Sequence, residues 1–169
     1  GFAARLARLT RRPIGLAGAA PNFHILYLTE DERRAAGSDL RALVPGIDDL
    51  SVRTITEMPL STFCLVLAFS RGGANSYHAA VAVVRAELPE LLRVSCLQEE
   101  LAQGLGLAND SPRARPSIFN DDEEFAFLTR HDELLLRILY DPRLRPGMAE
   151  AEAAPIVRLI AQELLGGTG

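Results

Sequence analysis

Hydrophobic residues recur along this chain with two spacings, and the change between them outlines helices and strands. Residues three and four apart share a face of a helix, whereas short continuous or alternating apolar runs are typical of strands. The pattern predicts helices at 2–11, 29–36, 90–105, 131–140 and 148–165, and strands at 14–18, 23–28, 63–69 and 77–85. Between residues 37 and 60 the apolar pattern is interrupted by Pro45, Gly46 and Pro59. We expect a loop with short helical turns there.

The order of these elements predicts an α+β fold. The strands at 63–69 and 77–85 are separated by a polar, glycine-containing segment, which is typical of a β-hairpin. We expect a small twisted mixed sheet of about four strands, packed on the helix at 90–105 and followed by C-terminal helices. The 169 residues suit one domain, so we predict a single domain over 1–169.

Composition and charge exclude several classes of function. Hydrophobic residues make up 48% of the chain, yet no apolar run reaches the roughly 18 residues that span a bilayer. The net charge is −4 and the arginines are scattered, so we expect no nucleic-acid partner. No nucleotide-binding glycine loop is present. The chain begins inside an amphipathic pattern at Gly1-Phe2, as expected of a protein trimmed from a longer precursor.

The two cysteines, Cys64 and Cys96, allow two interpretations. They would form one disulfide in an exported protein or remain two buried thiols in a cytosolic one. Their spacing does not distinguish the two states.

Polar side chains at catalytic spacing gather in one stretch, from Cys96 to Asp110. In a helix, Glu99 and Gln103 lie on one face, with Glu100 beside them. The helix is expected to end at Gly104 and Gly106, before Asn109-Asp110.

This stretch resembles the H-E-x-x-H-x-x-G-x-x-H motif of metzincin zinc peptidases, in which three histidines hold zinc. Glu100 falls on the general base of the motif, and Gly106 falls on its turn glycine. The residues at the three histidine positions are Glu99, Gln103 and Asn109. The motif is therefore degenerate, and its zinc ligands are replaced.

Two downstream segments strengthen the resemblance. Ser117-Ile118-Phe119-Asn120 resembles the metzincin turn that carries Met beneath the zinc, with Phe119 at the Met position. Leu128-Thr129-x-x-Asp132, continuing to Leu139-Tyr140, is similar to the closing helix of matrixin-like members. Within this helix, Thr129 and Asp132 also have the spacing of a capping box. The resemblance implies a zincin-like fold, whose last strand is an antiparallel edge that lines the cleft.

The chain also resembles a bacterial family of exported proteins of unknown function. The shared pattern is Cys-Leu-x-Glu-Glu-Leu-x-Gln-x-Leu-Gly-Leu, Ser-Ile-Phe-Asn-Asp and Leu-Thr-x-His-Asp, within residues 64–144. This resemblance implies a periplasmic or envelope-associated protein. Export in turn favours a disulfide between Cys64 and Cys96.

These resemblances lead to two functional hypotheses. The first is a non-catalytic, metalloprotease-like binding or structural module of the bacterial envelope, without a cofactor, that takes an extended peptide at the predicted edge strand 77–85. The second is a hydrolase or peptidase with Glu100 as general base. The oxygen donors of Glu99, Gln103, Asn109 and Asp110 suit Ca²⁺, Mg²⁺ or Mn²⁺ rather than zinc. The replaced histidines favour the first.

Overall fold

The computed structural model describes residues 1–16, 20–120 and 125–166. These residues form seven helices and three strands, which confirms the predicted α+β class. The elements are α1 (Phe2–Thr10), β1 (Phe23–Leu28), α2 (Glu30–Ala35), α3 (Gly37–Leu43), α4 (Asp49–Thr56), β2 (Cys64–Ser70), β3 (Tyr77–Arg85), α5 (Glu90–Gly104), α6 (Arg130–Leu139) and α7 (Glu150–Gly166). The chain folds into two compact units. Unit 1 comprises Gly1–Gly18 and Leu105–Gly169, and unit 2 comprises Ala19–Gly104.

The sheet of unit 2 has the strand order β1-β3-β2. β2 and β3 form the predicted antiparallel hairpin, from the Cys64↔Val84 pair onward. β1 runs parallel to β3, with Phe23 opposite Ala80. The prediction that strand 77–85 lies at the edge is therefore wrong, because β3 has a partner strand on both sides.

The described residues also contain three strands rather than the expected four or so. Residues 14–16 are not in a strand, and residues 17 and 18 lie outside the described residues. The apolar run at 14–18 has only two large hydrophobic residues, Ile14 and Leu16, and Leu16 is fully exposed. A run this short offers little apolar surface to bury against a neighbouring strand.

Side chains alternate along the strands and give the sheet two apolar faces, and helices pack on both. One face carries Leu26, Val81 and Val83, which pack with helices α3 and α4 in the main core of unit 2. The opposite face carries Cys64 and Val66 and lies against helix α5. Unit 2 is therefore a sheet between two helical layers.

Residues 37–60 contain two helices, α3 and α4, where we expected a loop with short helical turns. Asp48 caps α4, since its carboxylate accepts a hydrogen bond of 2.8 Å from the Ser51 N–H. Val52 and Ile55, three residues apart in α4, are both buried in the core. The short α4 is stabilised by this cap and this burial rather than by a long apolar repeat.

Two buried arginines, Arg33 on α2 and Arg85 at the end of β3, form an ion-pair network with Glu30 in unit 2. The guanidinium groups of Arg33 and Arg85 both bond to Oε2 of Glu30, at 2.7 and 2.5 Å. Arg85 also donates to the carbonyls of Thr62 and Pro59, each at 2.8 Å. Hydrogen bonds from Arg33, Arg85 and Arg34 lower the pKa of Glu30 to about 2. The carboxylate therefore stays ionised and joins α2 to the end of β3.

Unit 1 is helical in its described part. Helix α6 packs against α1 and α7, and Leu6, Leu136 and Ile160 are almost completely buried. Arg5 on α1 forms an ion pair of 2.6 Å with Glu133 on α6. Across both units, none of the described helices combines the length and apolar character needed to cross a bilayer.

Candidate functional site

Helix α5 carries the first part of the degenerate motif, and two of its residues mark the side that faces the sheet. Cys96 forms a disulfide with Cys64 on β2, with an S–S distance of 2.00 Å and Cα atoms 5.9 Å apart. This confirms the predicted disulfide. At Gly104 the helix approaches the sheet so closely that an added Cβ would lie 2.5 Å from Phe23 and 3.2 Å from Val66. The residues between Cys96 and Gly104 at helical spacing therefore face the sheet.

Glu100 lies midway along this side, four residues from both Cys96 and Gly104. Its residue surface is only 4% exposed. Glu99 and Gln103 lie on a neighbouring face of α5 and are half-buried. All three residues take part in interactions within the protein. The acid that the motif places at the general base is thus a buried carboxylate, held on a helix fastened to the sheet.

Helix α5 ends at Gly104, as the glycines of the sequence predict. After Gly104 the chain turns at Leu105 and Gly106, and Gly106 has a φ of 121°, which favours glycine. Within unit 1, the Tyr140 hydroxyl donates a hydrogen bond of 2.7 Å to the Leu105 carbonyl. The turn glycine of the motif therefore has a structural reason that is independent of any metal.

The remaining predicted site residues belong to unit 1. Asn109 and Asp110 are exposed and have no regular secondary structure. Asp110 takes part in an interaction within the protein. Phe119 is 3% exposed and belongs to the core.

One carboxylate organises the segment that contains Phe119. Oδ1 of Asp132 accepts a hydrogen bond of 2.5 Å from Ser117 Oγ, and Oδ2 accepts one of 3.0 Å from the Ile118 N–H. Oδ2 also accepts from the N–H of Thr129 at 2.8 Å, which closes the predicted capping box of α6. The sequence identifies Thr129 and Asp132 by their spacing, but Ser117 lies too far away for any local pattern to find.

The donor atoms of the degenerate motif do not fit zinc. A catalytic zinc site needs imidazole nitrogens, whereas Glu99, Gln103 and Asn109 offer a carboxylate and two amides. The histidines lie elsewhere, with His24 on β1 and His78 on β3. In the part of the chain that the structure describes, no three His, Cys, Asp or Glu side chains are grouped to hold a metal ion.

The fold and the site define an α+β protein with a buried acid on a helix that a disulfide joins to an edge strand. Residues 2–159 match the family described as "Protein of unknown function (DUF2927)". The chain belongs to this family. No curated protein and no solved structure gives a significant match.

Proposed function

We propose that this chain is a zincin-like domain that has lost zinc catalysis and acts as a binding or structural module of the bacterial envelope. The observation that carries the proposal is the position of β2. This strand is an antiparallel edge of the sheet, and the Cys64–Cys96 disulfide fastens it to the helix that bears the degenerate motif. An antiparallel edge beside the motif helix is the arrangement that zincin-like peptidases use to hold an extended peptide.

Strand β2 offers backbone groups to an added strand. The Arg85 N–H donates to the Phe63 carbonyl at 3.1 Å, immediately before the Cys64↔Val84 pair. Hydrogen-bonded and non-hydrogen-bonded pairs alternate in an antiparallel ladder. Cys64, Val66 and Ala68 therefore direct their N–H and C=O groups away from β3. An extended peptide would pair with these groups by strand addition.

The disulfide supports the envelope assignment. Disulfides persist in oxidising compartments such as the periplasm and are rare in the cytosol. Within the described residues, both cysteines of the chain are bonded to each other and neither remains as a thiol.

Peptide selection followed by hydrogen exchange tests the proposed binding edge. A random peptide library displayed on phage is selected against the protein, and the selected peptide is added during deuterium exchange. We expect added protection at the amides of residues 64–68. Ala68→Pro removes an outward N–H without removing a bond to β3, so it should abolish binding, whereas the control Ala68→Ser should retain it. Protection elsewhere, or full binding by Ala68→Pro, would refute the proposed edge.

The competing function is a hydrolase in which Glu100 is the general base and an oxygen-ligated metal assists. The observation in its favour is the burial of Glu100 on the motif helix, since buried carboxylates are enriched at catalytic sites. Elemental analysis of protein purified without chelator, combined with cleavage of a peptide library by wild type and Glu100→Gln, separates the two functions. Stoichiometric metal and Glu100-dependent cleavage would establish the hydrolase. The binding module would be supported if the wild type and a Glu100→Gln variant of equal stability both lack bound metal and both fail to cleave the library.

A further inference from the structure

Unit 1 contains a cavity of about 300 Å³ that the degenerate motif does not involve. It lies at the C-terminal ends of α1 and α6, beside α7. Its lining includes the basic residues Arg8, Arg11 and Arg137 and the apolar residues Leu9, Ile160 and Leu164. A cavity of this size is at the lower end of the range for small-molecule sites.

The guanidinium groups at the cavity have few partners. Among the described residues, the side chains of Arg8 and Arg137 form no hydrogen bond or ion pair, and both are exposed to solvent. The acid in the lining, Asp141, accepts hydrogen bonds from Arg143 at 2.8 and 3.0 Å, and the more distant charge of Arg11 also acts on it. Three arginines against one aspartate give the lining a net charge of +2. This charge is complementary to a dianion.

The rest of the lining is suited to a carbon skeleton. Ile160 is buried and Leu164 is half-buried, and both lie on α7. The ring of Tyr140 is fixed, because its hydroxyl donates to the Leu105 carbonyl at 2.7 Å. The lining therefore combines guanidinium groups with apolar surface.

The backbone of Arg11 is an independent sign that its side chain is needed. Arg11 is the C-cap of α1, with φ 54° and ψ 31°. This left-handed conformation is the one that glycine usually takes after a helix, and it strains other residues. Among the described residues, Arg11 is the non-glycine residue with positive φ. The strain is located at the cavity.

Arginines in the last turn of a helix also interact favourably with its macrodipole. Arg8 and Arg137 are both in the last turn of their helices, α1 and α6. The dipole accounts for arginines at these two helix ends, but not for the left-handed backbone of Arg11. We propose that this cavity binds a small organic dianion, a phosphate monoester or a dicarboxylate, whose charged group contacts these arginines and whose apolar part contacts Ile160 and Leu164.

Titration calorimetry of the full chain with phenyl phosphate and with phthalate tests the proposal. We expect one of the two to bind with one-to-one stoichiometry, and the tighter ligand identifies the charged group as phosphate or carboxylate. Inorganic phosphate should bind at least about tenfold more weakly, because it lacks an apolar part. Absence of binding by both organic dianions would overturn the proposal.

Arg11→Gly separates a ligand-binding role from a structural role. Glycine relieves the left-handed strain, so the melting temperature without ligand should not fall. The loss of one guanidinium should weaken binding by about tenfold or more. Arg158→Gln is the matched control, because Arg158 is an exposed arginine on α7 outside the cavity, and it should bind like wild type. Equal affinity for wild type and Arg11→Gly, or an equal loss in Arg158→Gln, would overturn the proposed site.

Discussion

Ser117 and Asp132 are joined by a hydrogen bond of 2.5 Å between Ser117 Oγ and Asp132 Oδ1, although 15 residues separate them. Both residues are almost completely buried. The same carboxylate accepts from the N–H groups of Ile118 and Thr129. One side chain therefore caps helix α6 and fixes the segment that carries Phe119.

Asp132→Asn should destabilise unit 1 strongly. Asparagine replaces one of the two acceptor oxygens of Asp132 with an NH₂ group, which donates. At least one buried N–H or O–H group therefore loses its acceptor. A buried unsatisfied group costs about 1–3 kcal/mol, and we expect a loss of about 2–4 kcal/mol in the free energy of unfolding. Urea denaturation followed by circular dichroism measures this loss.

An exposed capping box on the same chain provides the control. Thr29 and Glu32 form it at the start of α2, with a Glu32 Oε2 to Thr29 N distance of 2.8 Å. Glu32→Gln should lower the free energy of unfolding by less than about 1 kcal/mol, because water can replace the lost acceptor. If the Glu32 and Asp132 variants lose equal stability, the added bonds to Ser117 and Ile118 contribute nothing.

The Cys64–Cys96 disulfide should be the largest covalent contribution to the stability of unit 2. It joins residues 32 positions apart. Closing a loop of this length in the unfolded chain stabilises a protein by about 3–4 kcal/mol. Cys64→Ala/Cys96→Ala should lower the urea midpoint accordingly, and a thiol reductant should lower the wild-type midpoint to a similar value. A wild-type midpoint that does not respond to full reduction would contradict this assignment.

The sequence predicts an element well where the apolar pattern within that one segment is sufficient to identify it. β1 was predicted with the observed bounds because residues 23–28 form one apolar run. In the region of α3 and α4 the sequence predicts only short helical turns, because Pro45 and Gly46 interrupt the apolar pattern and α4 depends on the core contacts of Val52 and Ile55. The position of β3 at the centre was missed for a different reason. The hairpin with β2 is local, whereas pairing of Phe23 with Ala80 joins distant parts of the chain.

The candidate sites also differ in whether their residues lie in one segment or come from distant parts of the chain. Glu99, Glu100 and Gln103 share one helix, so their spacing is visible in the sequence. Cys64 and Cys96 were paired through the family resemblance, not through their spacing. No local sequence pattern groups the arginines of the cavity, because Arg8 and Arg137 lie on helices separated by most of the chain.

Glu30 should make folding stability depend on acid pH. Its pKa falls from the usual 4.5 to about 2 in the folded protein, mainly through hydrogen bonds from Arg33, Arg85 and Arg34. A group with a lowered folded pKa stabilises the protein above its unfolded pKa and loses this contribution as pH falls toward the folded pKa. The stabilisation is therefore complete well above pH 4.5 and is lost between about pH 4.5 and 2. Melting temperatures of wild type and Glu30→Gln should differ at neutral pH and converge across this window.

Asp141 is a second acid whose pKa is lowered in the folded protein, so it serves as a comparison for Glu30. Bonds from Arg143 lower its pKa to about 2. Glu30→Gln should therefore leave part of the acid sensitivity, and Glu30→Gln combined with Asp141→Asn should remove more of it. A constant gap in melting temperature between wild type and Glu30→Gln from neutral pH to about pH 2 would show that the Glu30 carboxylate is not selectively stabilised in the folded state.

Gly104→Ala should destabilise unit 2, although alanine is the better helix former. An added Cβ at Gly104 would lie 2.5 Å from the Phe23 ring, so either helix α5 or the ring must move. Overpacking of this kind costs about 1–3 kcal/mol, which exceeds the gain of about 1 kcal/mol in helix propensity. Gly37→Ala in α3 is the control, because its Cβ would meet Val52 at an ordinary 3.7 Å. Urea denaturation should show a loss for Gly104→Ala and none for Gly37→Ala. A stabilised Gly104→Ala would mean that α5 does not approach Phe23 this closely.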